Sequence, residues 1–199
     1  PSDPKAIRIP GDLGKPPYDL KTAGATYVLT QDISAPGTAF NILARDITLD
    51  LNGHTVTYNE DASVKPLGKE AYSTYGQGGA MGEHGVRCSY GARGKTRLLN
   101  GTIVQGKGNG GAGYTPVSFM GTEIAGITAI YHGPQVDGLY GEGSLVHHNI
   151  IMDRGTELTN RHQGVNGIDV GKGVCDLNHN LIRRLRHRGL SMPTQNPKL

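Results

Sequence analysis

The sequence predicts an all-β solenoid of parallel strands. Two interleaved repeats and the absence of any helical run predict it. The first repeat is a hexad of the form apolar–x–turn–turn–x–apolar. It is found at Leu51-Asn52-Gly53-His54-Thr55-Val56, Leu98-Leu99-Asn100-Gly101-Thr102-Ile103, Val146-His147-His148-Asn149-Ile150-Ile151 and Leu177-Asn178-His179-Asn180-Leu181-Ile182. The second begins at a glycine: Gly85-Val86-Arg87-Cys88, Gly126-Ile127-Thr128-Ala129, Gly167-Ile168-Asp169-Val170 and Gly189-Leu190-Ser191-Met192, with Phe40-Asn41-Ile42 as an earlier copy. Each glycine strand followed by a hexad makes one coil, so the chain holds about four to five coils. Nowhere does apolar spacing follow a helical period over about ten residues.

In chain order, residues 1–24 carry Pro4, Pro10, Pro16 and Pro17 and read as an extended leader over a sheet end. Tyr27-Val28-Leu29 and Thr38-Ala39-Phe40-Asn41-Ile42 are strands. Ile47 to Leu51 alternates strictly and meets a sharp Asn52-Gly53 turn before the next strand at Thr55-Val56. The solenoid body is expected over 25–192, with 193–199 as a tail. Gly/Tyr-rich stretches at 60–84 and 106–123, and a shorter one near 155–166, are expected to be loops projecting from it.

Asparagine suits such corners because it tolerates left-handed φ and bonds backbone groups with its amide. In register about 4.8 Å apart, these amides can also bond one another. Asn52, Asn100, Asn149 and Asn180 are therefore expected to be structural corner residues.

The chain has 199 residues with 31 glycines, 2 phenylalanines and no tryptophan. Recurring Val, Ile and Leu from Tyr27 to Met192 argue against disorder. No apolar run reaches the ~20 residues of a membrane helix, and a coiled coil or helix bundle has no supporting period. The chain starts at Pro1 with no signal peptide in view, so a targeting segment is expected to have been removed or never included. Net charge is +3, concentrated in Arg183, Arg184, Arg186, Arg188 and Lys198. This predicts a local polyanion contact or a solvated edge rather than a nucleic-acid binder. Cys88 and Cys175 sit in apolar alternation and read as buried thiols, with a disulfide between them as the alternative.

Aligning the glycine strands points Val86, Ile127, Ile168 and Leu190 inward, and Arg87, Thr128, Asp169 and Ser191 outward, with Asn41 ahead of them. A polar outward row beside Tyr-rich loops is what an elongated glycan requires: hydrogen-bonding pairs plus flat aromatic platforms. Tyr72, Tyr75, Tyr114, Tyr131 and Tyr140 are the candidate platforms, and Tyr131 with His132 is expected to flank the row. The bland alternative is a polar row that simply faces water. His148 and His179 share the third hexad position and are expected to stack. With no HxH or CxxC spacing, the eight histidines read as exposed corner residues rather than a zinc site. Gly106-Lys107-Gly108-Asn109-Gly110-Gly111 lacks the ending and the helix of a phosphate loop.

The run Asp46-Ile47-Thr48-Leu49-Asp50-Leu51-Asn52-Gly53-His54-Thr55-Val56, with its later Asn-corner coils, resembles the right-handed parallel β-helix superfamily typified by pectate lyases. The resemblance covers roughly residues 25–192. It implies a secreted protein, extracellular or periplasmic, that binds and cleaves a polysaccharide as a lyase or glycoside hydrolase. For a lyase on an acidic glycan, Arg87 would stabilise the developing enediolate, and Asp169 would bind a calcium ion or act as an acid. A hydrolase needs a second carboxylate, for which Asp137 and Asp153 are candidates. The same superfamily includes adhesins and passive scaffolds, so a structural or adhesive solenoid stacking into filaments is the second expectation. The last coil, Gly189-Leu190-Ser191-Met192, has no amphipathic cap after it, so further coils of the same protein or another copy are expected to cover it.

Overall fold

The computed structural model describes residues 5–61, 83–88, 92, 94–108, 115–132, 139–141, 145–154, 166–170, 176–184 and 188–191. Among them there is no α-helix, and every strand pairing is parallel. Parallel neighbours cannot be joined by a tight hairpin, so the chain must travel elsewhere between them. It does so by alternating between two sheets.

The larger sheet has eleven strands: β1 (Ile7–Ile9), β3 (Thr26–Leu29), β4 (Ile33–Ser34), β6 (Thr48–Asp50), β7 (Thr55–Tyr58), β9 (Arg97–Gln105), β11 (Glu123–Tyr131), β13 (Leu145–His147), β14 (Ile150–Asp153), β16 (Asp176–Asn178) and β17 (Leu181–Arg183). The smaller has seven strands: β2 (Tyr18–Leu20), β5 (Phe40–Ile42), β8 (Val86–Cys88), β10 (Val117–Phe119), β12 (Leu139–Gly141), β15 (Asn166–Val170) and β18 (Arg188–Ser191). The smaller sheet runs β2-β5-β8-β10-β12-β15-β18, in chain order across its width. The leader contributes the outermost strands β1 and β2, with Ile9, Tyr18 and Leu20 buried.

Strict alternation sends one set of side chains inward in straight rows. Tyr18, Phe40, Val86, Val117, Leu139 and Ile168 stand in register across the smaller sheet, all buried. Tyr27, Leu49, Leu98, Ile124 and Val146 do the same across the larger one. A third row, Val56, Ile103, Ala129 and Ile151, completes the core. Each fully buried aliphatic chain contributes about 1.5–3 kcal/mol. The interior also holds paired Tyr58 and Gln105, and paired Tyr131 and Asp153, all four buried. At the far edges Leu181 and Leu190 are 42% and 44% exposed.

The corner expectation holds in substance and shifts in detail. Asn52 and Asn100 have φ of 50° and 54°, as left-handed corners require, but in the later turns that conformation belongs to His148 (54°) and His179 (52°). Asn149 and Asn180 follow one residue later. Their amides form the ladder: Asn149 Nδ2 donates to Asn180 Oδ1 at 3.0 Å and to Ile124 O, while its Oδ1 accepts from Ile127 N–H at 2.9 Å. Asn180 Nδ2 continues to Val146 O at 2.8 Å. Asn52 and Asn100 do not bond each other's amides but reach neighbouring strands, Asn52 Nδ2 to Leu29 O of β3 and Asn100 Nδ2 to the Asp50 carboxylate of β6.

One glycine belongs to the corner series and not to the glycine strands expected from the sequence. Gly126, with φ +66°, aligns with Asn100 at a corner of the larger sheet and does not open a glycine strand. The register of the smaller sheet is filled at that point by Val117-Ser118-Phe119, which follows Pro116, and then by Leu139-Tyr140-Gly141. Gly and Asn serve equally at a left-handed corner, so Gly-Ile-Thr-Ala fits both patterns as text.

Cys88 is a buried thiol on β8. Cys175 lies outside the described residues, as do Asp137, Tyr72, Tyr75 and Tyr114.

Candidate functional site

Backbone register on the smaller sheet gathers one continuous row, in which the outward-facing members with described side chains are Asp19, Asn41, Arg87, Ser118 and Asp169. Asp19, Asn41, Arg87, Ser118, Tyr140, Asp169 and Ser191 occupy the same register on seven successive strands. Four of the five residues expected there are present: Asn41, Arg87, Asp169 and Ser191. Asp19 and Ser118 are not foreseen from the sequence, and Tyr140, expected as an aromatic platform beside the row, takes a place within its register. Asp19 was hidden in the proline-rich leader, and Ser118 in a segment without the expected glycine signature.

Thr128 is not in this row. It lies on β11 of the larger sheet, between Thr102 and Ile150, because Gly126 is a corner residue. Tyr131 and His132 do not flank the row either. Tyr131 is fully buried and presents no ring to a ligand. His132 donates from Nε2 to Gly106 O at 2.7 Å, and its backbone N–H meets Gln105 Oε1 at 3.0 Å, so it ties β11 to the segment after β9. Asp153 is 1% exposed and cannot serve as an outward partner for Asp169.

At one end of the row Asn41 Nδ2 donates to Asp19 Oδ1 at 3.0 Å, and Lys21 Nζ lies 3.0 Å from Asp19 Oδ2. The Asn41 bond, then Lys21, holds the Asp19 carboxyl below its ordinary range. This end therefore stays ionised at neutral pH and offers both donor and acceptor groups. Arg87, Ser118 and Asp169 are each half-buried. Arg87 and Asp169 are separated by β10 and β12. Three strand steps put their backbones about 14 Å apart. They are positioned to meet different units of an extended ligand rather than opposite ends of one bond.

Beside Arg87 in sequence, His84 is fully buried and donates from Nδ1 to Thr115 O at 3.1 Å. Burial pulls its pKa down to about 4, so it is a neutral structural imidazole.

Calcium requires six to eight oxygen ligands, supplied largely by clustered carboxylates. The row offers Asp19 and Asp169, five strand steps or about 24 Å apart, so its carboxylates do not assemble a calcium cage. Among the described residues no group of three or more His, Cys, Asp or Glu side chains is arranged to hold a metal ion.

A second polar cluster, unmarked by any sequence motif, sits on the outward face of the larger sheet. Glu123 on β11 accepts from Arg97 Nε on β9 at 2.5 Å and from His147 Nε2 on β13 at 2.9 Å. Arg97, followed by His147, depresses the Glu123 pKa. A depressed carboxylate contributes stability above its unfolded pKa of about 4.3 and loses it as pH falls through the lower folded value. Thermal melts of wild type and Glu123→Gln should accordingly differ most at neutral pH and converge in acid. A gap that stays constant down to strongly acid pH would contradict this.

No family model, no curated protein and no solved structure matches this chain.

Proposed function

We propose that this chain is a parallel β-helix solenoid of the pectate-lyase-like type, working outside the cytoplasm, and that the outward row of its smaller sheet binds a polysaccharide. The supporting observation is the seven-residue polar register from Asp19 to Ser191. A strand step of about 4.8 Å is close to the length of one pyranose unit. A glycan laid across the strands therefore meets a new polar side chain at each sugar. Hydroxyls take the amide, hydroxyl and carboxylate groups of Asn41, Ser118 and Asp169, and Arg87 supplies a charge-assisted donor for a uronate carboxylate.

Cleavage of that glycan by a lyase or hydrolase route is the stronger form of the proposal, with Arg87 stabilising charge and Asp169 acting as acid. The wide Arg87–Asp169 separation favours binding over single-site chemistry. Calorimetry against acidic and neutral polysaccharides, with an absorbance assay for unsaturated product, tests both forms. Binding without product is the expected result. Failure of every polysaccharide to bind would leave the structural or adhesive solenoid as the better reading.

A further inference from the structure

We propose that His148 and His179 form a two-imidazole binding site for a borderline divalent transition metal such as Cu²⁺, Ni²⁺ or Zn²⁺. The two residues hold equivalent left-handed corners, φ 54° and 52°, before β14 and β17. Their rings stack with centroids 4.8 Å apart and planes 9° from parallel. Both are exposed.

Hydrogen bonding fixes which nitrogen each ring presents. His179 Nδ1 lies 3.0 Å from Asn178 Oδ1, an acceptor, so Nδ1 carries the proton and Nε2 the lone pair. For His148 the logic runs through its neighbour. His147 Nε2 lies 2.9 Å from the Glu123 carboxylate and must donate to it, which leaves His147 Nδ1 as an acceptor in the neutral ring. His148 Nδ1, 2.8 Å from that atom, is then the donor, and its Nε2 holds the lone pair. No described residue meets either Nε2 atom.

A ring whose far N–H is held by an amide or a carboxylate-backed partner is the usual outer support of a metal-bound histidine. The support is built twice here, on adjacent strands. In the stacked arrangement the two lone pairs run side by side. Small combined shifts of the two exposed side chains, with the Nδ1 hydrogen bonds kept, bring the Nε2 atoms toward one ion, and water fills its other positions. Imidazole nitrogen selects Cu²⁺, Ni²⁺ or Zn²⁺ over Mg²⁺ and Ca²⁺. Two protein ligands make an exchangeable site rather than a structural one.

The test titrates untagged full-length protein with CuCl₂, NiCl₂ and ZnCl₂ by calorimetry, with electron paramagnetic resonance of the Cu²⁺ form. The expected result is one ion per chain, a two-nitrogen copper signature, and a loss of roughly tenfold or more in affinity for His148→Gln and for His179→Gln. Asn178→Ala should weaken binding while leaving both ligands present, and His54→Gln should leave it unchanged. Thermal melts of each variant confirm that it is folded. Binding that survives in the folded double variant, or no binding to wild type at millimolar ion, overturns the proposal.

Discussion

Asn149→Ala should be among the most damaging single changes in this protein. Asn149 is 1% exposed, and its amide serves three partners at once. Removing it takes the amide partner from the Ile127 N–H and the Ile124 carbonyl, while Asn180 Oδ1 loses one of its two donors and keeps the backbone N–H of residue 149. Each buried unpaired group costs about 1–3 kcal/mol. Allowing for relaxation and water entry, the expected loss is about 3 kcal/mol. For a chain of this length that lowers Tm by roughly 6–12 °C. Asn52→Ala is the internal control. Asn52 is exposed and makes a single 3.2 Å side-chain bond to Leu29 O, so its replacement should cost less than about 1 kcal/mol. Differential scanning calorimetry of the two variants decides this. Equal melting temperatures would contradict the ladder account.

Gly101→Ala should be comparably severe for a different reason. A Cβ at Gly101 would lie 2.4 Å from Leu51 Cβ and 2.8 Å from His54 O. Neither neighbour is the far end of a flexible side chain. The crowding arises because Leu51 to His54 fills a corner that takes only Asn100 and Gly101 on the next strand. The backbone of β7 or β9 must shift, which costs about 1–3 kcal/mol or more. Gly53→Ala, with nothing within 4 Å but φ +80°, isolates the conformational cost alone. That cost is about 1–2 kcal/mol. A Gly101→Ala variant as stable as wild type in urea would show that the corner is looser than its geometry implies.

The all-parallel β character was legible because side-chain alternation and corner chemistry are local. Ile47 to Val56 shows strand, turn and strand within ten residues, and the structure places β6 and the start of β7 there. What was not legible was phase. Gly126 satisfies the demand of a left-handed corner as well as it would begin a strand, and only the register with Asn100 separates the two. That single ambiguity moved Thr128 to the wrong sheet. Tyr131 misled differently: as an aromatic residue beside a polar segment it suited a sugar platform, yet its strand parity turns it into the core. Ser118 was not legible because Pro116 stands where the pattern expects glycine, and Tyr140 was legible as an aromatic platform but not as a member of the row. The Arg97–Glu123–His147 cluster joins three strands far apart in sequence, and no local motif can announce such a contact.

The proposed role of the row in holding a glycan is tested most directly by calorimetry with sized oligomers of the best-binding polysaccharide, on wild type, Arg87→Ala, Asp169→Ala and the double variant. Affinity should rise with oligomer length until the chain spans the strands from β5 to β15. Arg87→Ala should weaken a long acidic oligomer about tenfold, close to 1.4 kcal/mol. With about 14 Å between the two positions, the separate losses should add within about 0.5 kcal/mol. Saturation of affinity by a disaccharide, or unchanged binding in the folded double variant, would contradict the account.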